Sequence, residues 1–253
     1  IKDDSYCFMV KVGKPNDKEL FKNGTKLARG ANFRCLMSGA PMESSHIKNE
    51  GKAGRMGARL MAIVADGDRG RVYLSPTPEM ETVARSAVLT SDPEGSFVED
   101  ARAFTPCIYG LKEWRHLFTA RQLVALTTFS DLIPMAREQM SRDALAAGVG
   151  DVTGYSNAVS VYLAFALSKQ ADLGSNLCAW EPIAQCPRHV FGRQAIPMVW
   201  DFAEGNPLGN SSGAWSVFIE SIAKSFSKAF EFVPTKAAGS TAQVDARRQE
   251  ISK

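Results

Sequence analysis

The stretch IKNEGKAGRMGARLMAIVADGDRGRVYLSP, residues 47–76, decides how this chain is organised, because charge, glycine spacing and hydrophobic pattern all change within it. Its first half carries four cations, Lys48, Lys52, Arg55 and Arg59, with glycines at positions 51, 54 and 57 between them. Glycines allow backbone N–H groups to approach an anion closely while long cationic side chains reach the same anion. The segment therefore predicts a phosphate-binding loop, although a solvated basic linker is compatible with the same residue types.

The second half of the stretch is typical of a β-hairpin. Residues 60–64 and 71–74 are short apolar-rich runs, and the glycine-containing sequence DGDRG at 66–70 separates them. Arg69 and Arg71 add two cations beside the loop. The loop is not a nucleotide-binding P-loop, because no Ser or Thr follows Lys52 and the next element is extended rather than helical.

Composition indicates a chain that buries a core and carries its positive charge at one end. Its 253 residues are 45% apolar, which is enough for one large domain or two small ones. The net charge of +3 divides unevenly, since residues 1–75 hold 14 Lys and Arg against 8 Asp and Glu. A polyanion is therefore expected to meet the first third of the chain.

The sequence predicts a cytoplasmic protein without a membrane anchor. No apolar run approaches the roughly 18 residues that cross a bilayer, and the N-terminus lacks the features of a signal peptide. The five cysteines are odd in number and scattered, which favours a reducing compartment over a disulfide framework. The chain begins on Ile1 rather than Met, which suggests either a processed product or an internal piece of a longer protein.

The pattern along the chain predicts an α+β fold, with a small β-rich N-terminal part followed by a helical bundle. Residues 5–12 are expected to form a strand, 77–87 a short helix and 88–116 an irregular segment. Long helices are expected from Thr119 to about residue 148, where Thr119 and Gln122 form a capping box, and at 155–173 and 213–232. The helix at 155–173 is expected to be the most buried element. The predicted parts are 1–76, basic and β-rich with the glycine-spaced loop, 77–233, helical, and 234–253, a polar tail.

Two places in the chain carry candidate metal ligands, one at Cys35 and one at Cys178, Cys186 and His189. Cys35 has Ser38 where the second thiolate of a zinc knuckle would lie, and structural zinc needs about four N or S ligands. Cys178, Cys186 and His189 have the spacing C-x7-C-x2-H, but both thiols adjoin Trp or Pro residues and are typical of packed free cysteines. Neither group is expected to bind a metal.

Four runs of this sequence resemble a family of large prokaryotic adenine-specific DNA methylases that contain a zinc ribbon. The first is KNEGKAGRMGARLMAIVADGDRGRVYLSPTPEME, which begins at Lys48. The others are LFTARQLVALTTFSDL at 117–132, AVSVYLAFALSK at 158–169 and FGRQAIPMVWDFAEGNPL at 191–208. The runs occur in family order between about residues 20 and 215. The resemblance implies that the sheet around Cys35 is a degenerate zinc ribbon.

The resemblance also implies where the chemistry lies. The family binds S-adenosylmethionine through a D-P-F-x-G-x-G-like loop and grips the extruded adenine with a D-P-P-Y motif. This chain contains neither motif, and Asn206-Pro207-Leu208 predicts only a turn. The chain would be the insertion between the cofactor loop and the catalytic tetrapeptide. No cofactor is therefore expected in this chain itself, and S-adenosylmethionine is implied for the full-length protein.

Two hypotheses follow from these observations. In the first, the chain is a non-catalytic, DNA-contacting part of an adenine-specific DNA methyltransferase. Its phosphate contacts would be Lys48, Lys52, Arg55, Arg59, Arg69 and Arg71. In the second, it is a structural or protein-docking scaffold whose basic loop meets an acidic surface on the remainder of its own methyltransferase. A self-sufficient enzyme is disfavoured, because no residue group supplies a nucleophile, a base and an anion hole together.

Overall fold

The computed structural model describes residues 6–91 and 93–230 and confirms the α+β class. Its elements in chain order are α1 (Lys18–Asn23), β1 (Lys26–Ala28), β2 (Asn32–Arg34), β3 (Pro41–Met42), α2 (Ser44–Lys52), β4 (Ile63–Gly67), β5 (Gly70–Leu74), α3 (Pro78–Arg85), 3₁₀ helices at Thr105–Tyr109 and Trp114–Leu117, α4 (Ala120–Ala146), α5 (Val152–Leu173), β6 (Trp180–Glu181), β7 (Cys186–Pro187) and α6 (Trp215–Phe230). The predicted polar tail at 234–253 and the predicted end of the last helix at 231–232 lie outside the described residues.

The strands form small antiparallel sheets. β1, β2 and β3 make a three-stranded sheet, in which Lys26 lies opposite Phe33 and Phe33 opposite Met42. β4 and β5 form the hairpin that the sequence predicts, with Ile63 paired to Leu74 and Gly67 to Gly70. The predicted strand at 5–12 is wrong over its described part, since residues 6–12 join no sheet. Its one hydrogen bond to the hairpin region runs from the Val10 N–H to Ser75 Oγ (2.9 Å).

Two helices begin where the sequence predicts, because their capping side chains are local signals. Thr77 accepts a hydrogen bond from the Met80 N–H, and Pro78 occupies the first turn of α3. At α4, Thr119 Oγ1 accepts from the Gln122 N–H (3.3 Å) while Gln122 Oε1 accepts from the Thr119 N–H (2.8 Å). The capping box is therefore complete, and α4 continues through Pro134 to Ala146.

The three long helices pack on one another through a small apolar cluster. α4 runs along α5, and α6 lies on α5, where Ala166, Leu173 and Phe218 are buried together. Trp215 of α6 stacks on Phe129 of α4, with the ring planes 5° apart and the centroids 4.3 Å apart. These contacts fix the helices as one layer.

The larger core lies outside the long helices, partly in the segment 88–116 that the sequence predicts to be irregular. Phe104, Cys107, Leu117, Leu177, Cys178 and Val190 are buried against one another. Three of the five residues of the 3₁₀ helix Thr105–Tyr109 are buried, against four of the 22 residues of α5, so the prediction that α5 is the most buried element is wrong. The physical reason is that α5 contacts α4 and α6 on only part of its circumference, while the chain around 173–178 is enclosed by the 3₁₀ helices and the 186–199 loop.

Candidate nucleic-acid interface

Helix α2 carries the first two predicted cations and rests backbone to backbone on the core. Gly51 is buried, and a Cβ atom added to it would overlap the carbonyl oxygen of Tyr109. The contact is equally close from the other side, because a Cβ on Gly110, whose φ is +90°, would lie 2.6 Å from the Gly51 carbonyl oxygen. Only a pair of glycines permits this approach. Helix α2 is therefore held directly against the 3₁₀ helix Thr105–Tyr109.

Lys48 and Lys52 lie four residues apart in α2, so they project from neighbouring positions on one side of the helix. Across residues 6–91 and 93–230, neither lysine makes an ion pair. The prediction that Lys48 and Lys52 lie in a glycine-spaced loop is wrong, because residues 44–52 are helical. A glycine within a helix costs about 1 kcal/mol relative to alanine, and here the close contact of Gly51 with Tyr109 offsets that cost. The loop begins at residue 53. With α1 and α2 present, the first 76 residues are also less β-rich than predicted.

Arg55 follows the helix and folds back onto it. Its Nε and Nη2 atoms donate to the two oxygens of Glu50, at 2.7 and 2.8 Å. The hydrogen bond from Arg55 lowers the pKa of Glu50, and Glu50 in turn raises the pKa of Arg55. The pair is exposed, so it contributes little to stability. A phosphate that binds Arg55 has to compete with Glu50 for the guanidinium group.

Arg59 is the most heavily used of the six predicted cations. Its Nε donates to Glu81 Oε1 at 2.9 Å, its Nη2 donates to the Tyr6 carbonyl at 3.3 Å, and its guanidinium lies over the Tyr6 ring. Glu81 also accepts from the Leu60 N–H (3.0 Å) and from Arg85 (3.1 Å). Hydrogen bonding from Arg59 is the main cause that lowers the pKa of Glu81. Arg59 thus ties the loop to α3.

The last two predicted cations, Arg69 and Arg71, lie on the hairpin, and of these two only Arg71 makes an ion pair with a described residue. Arg71 Nη1 donates to Asp66 Oδ1 at 2.5 Å, across the strand pair β4–β5. Arg69 lies in the exposed turn between Gly67 and Gly70, and among the described residues no carboxylate pairs with it. Of the six predicted residues, Lys48, Lys52 and Arg69 therefore remain available to an anion without breaking an ion pair in the described part of the chain.

The two candidate metal groups have other contacts. Cys35 begins the turn between β2 and β3, where a hydrogen bond from the Ser38 side chain lowers the pKa of its thiol. Burial raises the pKa of the Cys178 thiol to about 11, and its Sγ lies 3.5 Å from the Asp172 carbonyl oxygen. His189 Nδ1 lies 2.5 Å from Asp172 Oδ2. Within the described ranges, no three His, Cys, Asp or Glu side chains are placed to hold a metal ion.

All five cysteines are free. Asn206-Pro207-Leu208 forms the predicted turn, in which the Leu208 N–H donates to Asn206 Oδ1 (3.0 Å). Among the described helices, none has the length and apolar character that crossing a bilayer requires.

Sequence reasoning missed two features beside the predicted cations. The first is Glu81, whose carboxylate accepts hydrogen bonds from Arg59, Arg85 and the Leu60 N–H. The second is an aromatic cluster in which Trp200 meets Phe33 and Tyr109, with centroids 5.5 and 5.0 Å from its own. Glu81 lies within the first run that resembles the methylase family and Trp200 within the last, so both were visible in the sequence. Nothing in their spacing indicates the contacts.

Comparison of the chain with protein-family models, with curated proteins and with solved structures finds no match. The family resemblance therefore rests on the sequence runs alone.

Proposed function

We propose that this chain is the non-catalytic, DNA-contacting region of an adenine-specific DNA methyltransferase. Methyl transfer from S-adenosylmethionine to adenine N6 belongs to other segments of the full-length protein, which supply the cofactor loop and the D-P-P-Y motif. The β1–β2–β3 sheet around Cys35 would be its degenerate zinc ribbon.

The observation that carries the proposal is the group of unpaired cations on the basic surface, which is defined here as α2 together with the β4–β5 hairpin. Lys48, Lys52 and Arg69 have no ion-pair partner among the described residues, and Lys52 and Arg69 are exposed. Cations held on an ordered helix and a hairpin meet successive phosphates at a small cost in conformational entropy. The primary phosphate contacts are therefore Lys48, Lys52 and Arg69. The other three cations contribute less because each already forms an ion pair with a carboxylate of this chain; these are Arg55, Arg59 and Arg71.

The test is the salt dependence of DNA binding. The slope of log K against log salt falls by about 0.9 for each phosphate contact removed. K48Q/K52Q/R69Q should therefore flatten the slope for duplex DNA by about 2 to 3 and weaken binding alike on all sequences. The measurement is fluorescence anisotropy of a labelled duplex over a range of salt concentrations.

The matched control is K169Q/K224Q/K228Q, which removes the same charge from helices α5 and α6. This control should keep the wild-type slope. Wild-type binding that is indifferent to salt, or equal losses in the two triple variants, would refute the proposal.

A protein-docking scaffold is the second candidate, and the ion pairs of the arginines favour it. Arg55, Arg59 and Arg71 each already bind a carboxylate of this chain, so the basic surface also suits an acidic protein surface. That partner would be the remainder of the same methyltransferase. K48E/K52E/R69E should then weaken assembly with the other segments of the full-length protein, measured by co-purification, and leave DNA affinity unchanged.

A further inference from the structure

A tryptophan beside the basic surface lacks the contacts that a purely structural tryptophan makes. Trp200 is 42% exposed, and Phe33 and Tyr109 meet it at interplanar angles of 70° and 82°. Neither ring lies parallel to the indole, so within the described residues no aromatic ring stacks on it. The indole N–H likewise has no hydrogen-bond partner there. Trp200 thus presents an aromatic surface that a flat ring can cover.

Three lysines lie on the elements that adjoin the two rings packed on Trp200. Lys26 of β1 is the cross-strand neighbour of Phe33, so its side chain emerges on the face of the sheet that meets Trp200. Lys52 adjoins Tyr109, the second ring packed on Trp200. Gly110 directly follows Tyr109, and a Cβ on Gly110 would lie 3.0 Å from the Cα of Lys52. Lys48 lies one helical turn before Lys52. None of these three lysines forms an ion pair with another described residue.

Two exposed carboxylates oppose an anion at this place. Asp201 follows Trp200 in the chain, and Glu43 follows Met42, which pairs with Phe33. The three lysines on these elements outnumber the two carboxylates. Replacing Asp201 by Asn removes one negative charge and leaves the aromatic cluster intact.

We propose that Trp200 stacks on an unpaired base of a DNA strand whose phosphates lie against Lys26, Lys48 and Lys52. An exposed aromatic ring flanked by cations is the arrangement that binds single strands, because every base offers a π-face while the cations follow the backbone. A base within a duplex is already stacked on both sides, so only an unpaired or extruded base reaches the indole. The inference rests on the proposed DNA-contacting function and deepens it, since it names the state of the DNA.

The test compares two tryptophans of equal exposure in the full 253-residue chain. Trp114 is 43% exposed, and it packs on Phe97 in a part of the surface where Lys112 is paired with Glu99. Alanine substitution at a stacking residue costs about 1–3 kcal/mol per base, so W200A should weaken binding of a labelled oligo(dT) roughly 5- to 150-fold. W114A should bind as the wild type does. W200F should retain most of the affinity, and D201N should increase it.

Salt separates this inference from the proposed function. W200A should leave the slope of log K against log salt unchanged, because no phosphate contact is lost, whereas K26Q/K52Q should flatten the slope by about 2. A folded W200A that binds oligo(dT) as tightly as the wild type overturns the stacking inference alone. A wild-type chain that binds neither oligo(dT) nor duplex overturns both proposals. Equal losses on duplex and single strand, or tighter binding of oligo(U) than of oligo(dT), also overturn the inference.

A second measurement keeps the test decisive if W200A does not fold, since Trp200 also packs on Phe33. Stacking of a base quenches indole fluorescence, so oligo(dT) should quench the wild type more than W200F. Equal fractional quenching of the two folded proteins would show that the base does not lie on Trp200.

Discussion

The two halves of this protein are stabilised by different means. Among residues 6–91, only Ala31 and Gly51 are buried, whereas residues 104–218 contain both apolar clusters. The first half consists of short strands and helices that pack against the second half through a few contacts. These contacts are Gly51 on Tyr109, Phe33 on Trp200, and α3 on α4. The charge-bearing surface therefore depends for its shape on a core that lies elsewhere in the chain.

The comparison also explains how cations on a largely exposed part of the chain can be ordered. A surface with so little buried area does not position Lys48 and Lys52 by its own packing. Close backbone contact with the core positions α2 instead. Stability and binding are thereby separated in sequence, and substitutions should reveal which half each one affects.

The largest effect is expected in the core. Leu117 is 1% exposed and belongs to the larger cluster, so L117A should lower the free energy of unfolding by about 2–5 kcal/mol through lost burial and a new cavity. Leu132 of α4 is 46% exposed, and L132A should change stability by less than about 1 kcal/mol. Urea denaturation followed by circular dichroism measures both. Equal losses would mean that the helical layer, and not the irregular segments, holds the fold.

A smaller effect is expected where the halves meet. G51A places a methyl group against the Tyr109 carbonyl oxygen and should cost about 1–3 kcal/mol through overpacking. G57A is the matched control, because a Cβ there meets nothing within 4 Å. Hydrogen exchange should show lost protection in α2 of G51A, with protection around Leu117 and Cys178 unchanged. Protection lost throughout the chain would show that the two halves unfold together.

The smallest effect concerns pH and the carboxylate that joins the loop to α3. Since the pKa of Glu81 is lowered in the folded state, the ionised group stabilises the protein above its ordinary value of about 4.5. That contribution is lost as the pH falls through the folded pKa. E81Q should therefore melt below the wild type at pH 7, and the difference should shrink below about pH 4.5.

E138Q, on the exposed face of α4, serves as the control for the pH experiment and should follow the wild type at every pH. A difference in melting temperature between wild type and E81Q that grows as the pH falls would contradict the role of Glu81.

The parts of the fold that the sequence predicts are those with local signals. The Thr119–Gln122 capping box, the Thr77-Pro78 helix start and the DGDRG turn each act over a few residues, and each appears where expected. The core does not follow from such signals. Ser175 Oγ donates to the Leu117 carbonyl at 2.7 Å, and the Ile196 N–H donates to the Ala103 carbonyl at 2.8 Å. Contacts between such distant irregular segments leave no periodicity in the sequence.

The candidate site divides in the same way. Its cations were visible in composition and spacing, but their partners were not, since Arg59 and Glu81 are 22 residues apart. Helix α2 was missed because glycine lowers helix propensity locally, while the contact that stabilises Gly51 comes from residues 109 and 110. Trp200 lies far from the basic stretch in the chain, and only the folded chain brings it there.

The contact between Phe33 and Trp200 has a consequence for the order of folding. The two rings are about 170 residues apart in the chain, so their contact closes a very long loop and forms late. At translation rates of about 5–20 residues per second, the β1–β2–β3 sheet waits roughly ten to thirty seconds after its synthesis for the indole to leave the ribosome. During that interval the first strands to be made lack the aromatic ring on which Phe33 packs in the folded chain.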